Sequence, residues 1–313
     1  MLATFLSSTS LHLAFSLIES LTAAIWTRLQ FSKQFDISQG EETITDMTLL
    51  DLKMEIDRQG IPGINVWKCS KAMEPEIGID WMWFVGNASR GWLRFAVQAK
   101  KLNLQHMRYD SLNHEVSKGI KQIDVLENFA MWAQATPLYC LYNYVDFDQV
   151  ISNRCHFAPE HCECKMKELW NCCQLLTEEQ FGCTITHLND VREALLPPPP
   201  PKKIYVPSKK RFTSMHDQGK AVPWRCLLCP QTKFLHEQLD GRIFHHKHGE
   251  LFPIKETPED LRVELGEIID LGNFIDVEDL SSKRIGPRMI IMIDLGQPTE
   301  EVLNNNEING INR

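Results

Sequence analysis

Asp80 and the run Gln98-Ala99-Lys100 combine a carboxylate, an amide and an ammonium at a spacing that one β-hairpin can bring together. Ile79–Val85 is rich in aromatic and β-branched residues and predicts a strand. Gly86 to Gly91 is turn chemistry, and Trp92–Lys100 predicts a second strand. Alternation turns Leu93, Phe95, Val97 and Ala99 to one face and Arg94, Ala96, Gln98 and Lys100 to the other. It also sets Asp80 opposite Ile79, Trp81 and Trp83. Polar groups among Trp, Phe and Val need a reason to be there. Phosphodiester hydrolysis is one such reason, because Mg²⁺ takes hard oxygen ligands at about 2.0–2.1 Å. Asp80 offers one oxygen, the Gln98 side-chain carbonyl a second and the Ala99 backbone carbonyl a third. Lys100 then orients the nucleophilic water and faces developing negative charge. A carboxylate from a nearby helix completes such a set, and Glu41 and Glu42 open the helix before the hairpin. The plainer reading is a cross-strand Asp80–Lys100 ion pair worth about 0.2–1 kcal/mol, with Gln98 a bystander.

A second constellation is Cys226-Leu227-Leu228-Cys229, a C-x-x-C followed by His236, His245, His246 and His248. Tetrahedral zinc needs two further ligands. Fifteen residues separate Cys229 from His245, a zinc-finger spacing, while His245 and His248 have only two between them. Cys162, Cys164 and Cys183 are alternative partners, and unliganded buried thiols are the competing reading. A thioredoxin-like role lacks the surrounding βαβ pattern. Between the proline run and the zinc candidates, Lys202, Lys203, Lys209, Lys210 and Arg211 flank Tyr205 and Phe212. That mixture suits a phosphate track with base stacking, or equally a solvated linker.

The elements that must position these groups read as follows. A helix covers residues 11–31, with Leu13, Leu17, Leu21 and Ile25 on one stripe. Glu41–Asp57 is a second helix with Met47, Leu50 and Met54 on its stripe, ended by Gly60-Ile61-Pro62-Gly63. The hairpin follows, then a long helix over Leu112–Ala135 carrying Gln122, and a buried strand over Pro137–Tyr144. Gln122 reads as a solvated helix glutamine, with support of the hairpin site as the alternative. Cys155–Cys183 predicts a cysteine-dense helical stretch, and His187–Leu196 predicts one more helix. Pro197–Pro201 is a stiff, extended linker. Leu261–Leu295 predicts short strands, and Glu300–Arg313 a polar, frayed end. The resulting division is residues 1–150 as a core, 151–196 as a Cys-rich helical extension, 197–201 as the linker and 202–313 as an accessory region.

Composition narrows the classes. The chain has 313 residues, 43% of them hydrophobic and 24% charged, which excludes collagen-like, coiled-coil and globally disordered proteins. Net charge is −8, so nucleic acid would have to meet a local patch. Residues 201–250 hold ten Lys/Arg against four Asp/Glu, whereas residues 255–313 hold six against thirteen. The apolar stretch Leu11–Trp26 is interrupted by Glu19, is short of the roughly 20 residues of a membrane span and has no Lys or Arg before it. It reads as a packed helix in a cytoplasmic chain without membrane contact, whose cysteines are thiols or metal ligands.

Glu42, then Asp80, then Gln98-Ala99-Lys100 ending the next strand, then a helix, resembles the PD-(D/E)XK nuclease superfamily in its Mrr-like variant with Gln for the acidic residue. Ile79 stands where the motif's name has proline. The wider string of GEETITD, GIDWMWFV, VQAKKL, the Gln122 helix and PLYCLYNY is similar to a bacterial restriction-endonuclease-like family. The likeness covers about residues 11–145 and extends faintly to PWRCLLCP. It implies an α/β fold with a restriction-endonuclease-like mixed sheet flanked by helices, and DNA cleavage dependent on Mg²⁺ or Mn²⁺. Asp80 and Gln98 would be metal ligands, Lys100 the catalytic lysine and Glu42 the helix carboxylate. A role in restriction or phage defence, with a second copy or defence-system proteins as partners, is implied by the likeness alone. A non-catalytic nucleic-acid-binding module and a zinc-stabilised interaction protein are the alternatives.

Overall fold

The computed structural model describes residues 8–61, 63–68, 77–87, 91–146, 177–196, 211–216, 221–228 and 285–294. Helix α1 (Ser8–Gln34) is followed by α2 (Glu41–Gln59), which ends where Gly60 takes φ 60°, a left-handed cap that glycine supplies without strain. Strands β1 (Ile64–Lys68), β2 (Ile77–Asn87) and β3 (Gly91–Lys101) come next. A small hairpin of β4 (Glu115–Ser117) and β5 (Ile120–Lys121) leads into α3 (Gln122–Trp132) and β6 (Thr136–Tyr142). Then come β7 (Cys183–His187), α4 (Leu188–Leu195), α5 (Phe212–His216), β8 (Ala221–Pro223) and β9 (Ile285–Asp294).

Seven of the described strands form one mixed sheet in the order β1-β9-β2-β3-β6-β7-β8. β2 and β3 are the expected antiparallel hairpin, with Trp81 opposite Val97. β9 runs parallel to β2, and β6 runs parallel to β3. The sheet therefore draws strands from both sides of residue 150 and of the proline run, so the division read from sequence does not bound it. No helix among the described residues is long and apolar enough to cross a membrane.

Register fixes two faces. Trp81 and Trp83 share one, where the Trp224 ring meets them at centroid distances of 6.4 and 5.3 Å. Tyr142 belongs to that face too, and its hydroxyl lies 3.0 Å from Thr45 Oγ1 of α2. On the opposite face Arg94 Nη1 donates to the Ala133 carbonyl at the end of α3 (3.1 Å), and Arg192 of α4 pairs with Asp124 and Glu127 of α3. Helices therefore flank the sheet. Gly182 lets α1 approach the start of β7, since a Cβ there would stand 2.3 Å from the Thr22 carbonyl oxygen.

Three elements differ from the sequence reading. In α2 the buried residues are Ile44, Thr45, Thr48, Leu49, Leu52 and Ile56, while Met47, Leu50 and Met54 are exposed. Two hydroxyls join the core stripe because Thr45 and Thr48 donate back to the carbonyls of Glu41 and Ile44. The helix expected from Leu112 begins only at Gln122, because Gly119 at φ 78° closes the β4–β5 turn first. Cys183, assigned to a helix, lies in β7, where its sulfur is 3.1 Å from that of Cys140 and both thiols are buried and free. Of the strands expected over Leu261–Leu295, β9 is described. Cys162 and Cys164, the basic run 202–210, His236, His245, His246, His248 and the 300–313 end lie outside the described residues.

Candidate active site

Three of the four residues read from sequence meet on one face of β2 and β3. Asp80 is 7% exposed, Gln98 4% and Lys100 3%. Asp80 Oδ2 accepts the Ala99 backbone N–H at 2.7 Å and the Gln98 amide Nε2 at 2.5 Å. Asp80 Oδ1 receives no hydrogen bond from the described residues. Gln98 thus presents its nitrogen to the carboxylate, not the carbonyl that ligation would use, and half a turn of the amide exchanges the two.

Glu42 is the fourth, and the structure places it elsewhere. Its side chain is 74% exposed and pairs at the rim with Arg288 Nη2 at 3.3 Å. Glu41 is the helix carboxylate that reaches the cluster. Its Oε1 lies 3.1 Å from Lys100 Nζ, and its Oε2 accepts the Lys101 backbone N–H at 2.9 Å and a longer contact from Ser111 Oγ at 3.4 Å. The physical reason is helical phase. Glu41 stands one turn before Thr45 and shares its inward face, whereas Glu42 is rotated about 100° outward. The N-terminal end of α2 also favours both carboxylates electrostatically.

Burial pushes the Asp80 carboxyl up to about 6. The Ala99 N–H and the charges of Lys100 and Arg288 pull it down, and Glu41 pushes it further up. Burial also lowers the Lys101 ammonium pKa, which Glu41 opposes. Lys101 Nζ reaches back to the Gln39 carbonyl and Ser38 Oγ, tying β3 to the loop before α2.

The sheet extends the site sideways. Register sets Arg288 of β9 beside Asp80, Gln98 beside Tyr139 of β6, and Tyr139 beside Thr186 of β7, a polar row across five strands. Tyr139 Oη and Thr186 Oγ1 are buried and have no hydrogen-bond partner among the described residues. Gln122 starts α3 half-buried, its N–H on the His114 carbonyl and its Oε1 buried without a partner among the described residues. Among the described residues no three His, Cys, Asp or Glu side chains are grouped to hold a metal. Asp80 with an amide and a backbone carbonyl is not a group of that kind. With the Gln98 amide turned to present its carbonyl, Asp80 Oδ1, that carbonyl and the Ala99 carbonyl would be hard oxygen donors of the kind Mg²⁺ or Mn²⁺ takes. For the second constellation, the Cys226 side chain and Cys229 lie outside what is described.

Sequence reasoning offered Glu41 beside Glu42 but gave the helix-carboxylate role to Glu42, and it missed Arg288 and Tyr139. Glu41 had a signal in the true core stripe of α2, and Arg288 had none near it in the chain.

Fold and site together define a mixed α/β protein with a buried carboxylate–amide–ammonium cluster at the centre of its sheet. The chain belongs to a family described as one of unknown function, DUF6615, whose profile matches residues 15–293. No curated protein and no solved structure matches it.

Proposed function

We propose that this chain is a divalent-metal-dependent endonuclease that hydrolyses DNA phosphodiester bonds, on a restriction-endonuclease-like fold. The observation that carries the reading is the convergence of Asp80, Gln98 and Lys100, all buried, on one face of adjacent strands. Charges are withdrawn from water at a cost that only pairing or function offsets. Asp80 Oδ1, the Gln98 carbonyl after rotation and the Ala99 carbonyl would hold Mg²⁺ or Mn²⁺, which supplies Lewis-acid charge to the phosphoryl group. Asp80 is kept in place by the Ala99 N–H. Lys100 directs its ammonium at the negative charge that develops as water attacks phosphorus and one P–O bond breaks. Glu41, rather than Glu42, is the positioning carboxylate for Lys100. A structural zinc on Cys226 and Cys229 belongs to the same proposal, and elemental analysis of protein purified without chelator tests it.

The decisive experiment incubates supercoiled plasmid with purified protein and Mn²⁺. Nicking is expected, with Lys100→Ala slower by about 10²–10³ while Mn²⁺ affinity is retained. Equal nicking by wild type and Lys100→Ala would sink the proposal. A second reading, a nucleic-acid-binding module without catalysis, is favoured by the Gln98 Nε2–Asp80 bond, which closes the cluster on itself. It predicts salt-sensitive DNA binding and no nicking at any Mn²⁺ concentration.

A further inference from the structure

Arg288 is the chemistry-bearing residue that the hairpin motif does not contain. β9 carries it from the far end of the chain into the row beside Asp80, since Ile79 pairs with Pro287 and Trp81 with Met289. Its side chain is 37% exposed, whereas Lys100 on the other flank of Asp80 is buried. The site therefore has one cation at its floor and one at its rim. The rim cation is held lightly. Its partner among the described residues is the Glu42 carboxylate, at 3.3 Å through one nitrogen, and that carboxylate is 74% exposed. Such exposed pairs contribute little and are easily exchanged. A phosphate would offer the guanidinium two parallel N–H···O bonds in place of one long contact.

We propose that Arg288 is a phosphate clamp for the DNA backbone and that Glu42 is its stand-in anion, displaced when DNA enters. This rests on the DNA reading of the site above. A backbone that crosses the row from β9 to β3 meets Arg288 first and comes to lie over Asp80 and Lys100. Glu42 thereby acquires a role opposite to the one its place in the motif suggests: its carboxylate competes with substrate.

The test measures binding of a fluorescein-labelled DNA duplex to the full chain in EDTA across a salt titration. Arg288→Ala should weaken binding about tenfold at fixed salt and reduce the slope of log K against log[salt] by about one. Arg58→Ala, which removes an exposed cation at the far end of α2, should leave the slope unchanged. Arg288→Lys should keep the slope. Glu42→Gln should tighten binding, and that gain should vanish in the Glu42→Gln/Arg288→Ala double variant. If Arg288→Ala does not fold, the gain in Glu42→Gln and the retained slope in Arg288→Lys decide the matter. An unchanged slope in Arg288→Ala, no gain in Glu42→Gln, a gain that survives in the double variant, or binding of an RNA duplex but not of DNA overturns the proposal. Mn²⁺-dependent nicking by wild type separates the two claims. Nicking with an unchanged Arg288→Ala slope removes the clamp and leaves the nuclease. Arg288-dependent binding without nicking removes the nuclease and leaves the clamp.

Discussion

Two buried polar clusters lie on this sheet, and they are built on opposite plans. The first surrounds Asn143, just past β6. Its Nδ2 donates to the carbonyls of Leu141 and Phe181 and to Thr184 Oγ1 at 2.9–3.0 Å, and its Oδ1 accepts the Tyr109 hydroxyl at 2.5 Å. Thr184 Oγ1 in turn lies 2.9 Å from His216 Nε2. Its members are an amide, hydroxyls, backbone carbonyls and an imidazole, and the cluster binds β6, β7, α5 and the segment before α3 into one unit. The second surrounds Asp80. It holds formal charges and, among the described residues, leaves one carboxylate oxygen open and the Tyr139 and Thr186 hydroxyls of the same row without partners. A network that satisfies itself is a structural fastening. One that keeps charge and open acceptors in a buried place is the arrangement on which the endonuclease proposal rests.

Breaking the first cluster should produce the largest change. Asn143→Ala leaves two carbonyls and the Tyr109 hydroxyl short of a partner in the interior. A loss of about 3–5 kcal/mol in urea-unfolding free energy is expected. A loss below about 1 kcal/mol would show that water or a neighbour replaces the amide, and the contrast between the clusters would fade.

The Asp80 cluster should respond with the reverse sign. Its folded carboxyl is raised to about 6 from 3.8, so folding favours the neutral form. That contribution is fully present below the unfolded value near 4 and is lost as pH rises through about 6. Asp80→Asn, neutral throughout, should escape the loss. Its stability relative to wild type should grow between pH 4 and 6 and level off above, by on the order of 3 kcal/mol, while nicking disappears. Unfolding midpoints of the two proteins across that pH range check the prediction, and a gap that shrinks as pH rises would contradict it.

The smallest effect sharpens the boundary between the clusters. Thr45→Val removes the Thr45–Tyr142 hydroxyl contact that anchors α2 to the face behind the site. About 1 kcal/mol of stability should be lost, with nicking reduced by no more than a few-fold because Glu41 stays in place. A nicking loss as deep as that of Lys100→Ala would mean that the anchor of α2, not the buried cluster alone, controls the chemistry.

The sequence carried the hairpin plainly, because period-two alternation in each strand, with the two apolar faces set on one side, assigns Asp80, Gln98 and Lys100 to the other. It carried α2 ambiguously. Met47, Leu50 and Met54 form an apolar stripe uninterrupted by hydroxyls, whereas the buried face mixes Ile44, Leu49, Leu52 and Ile56 with Thr45 and Thr48, whose hydroxyls bond within the helix. Following the methionines hides the alignment of Glu41 with Thr45, and so hides which of two adjacent glutamates turns inward. Arg288 was illegible for a different reason. Its strand is recognisable as Ile- and Met-rich, but nothing local says that it pairs with β2 some two hundred residues earlier.

The place of β9, between β1 and β2, also bears on how the chain is made. During synthesis the ribosome must release the sequence through Asp294 before β1 and β2 acquire the strand that lies between them. Until then the β2 edge, with Trp81, Trp83 and their neighbours, has no partner on that side. Long-range parallel pairing of this kind is slow to form and open to aggregation while it waits. The nascent protein therefore cannot assemble the Arg288 side of its site before synthesis has passed β9, and a product terminated ahead of it would carry the hairpin motif without the strand that completes it.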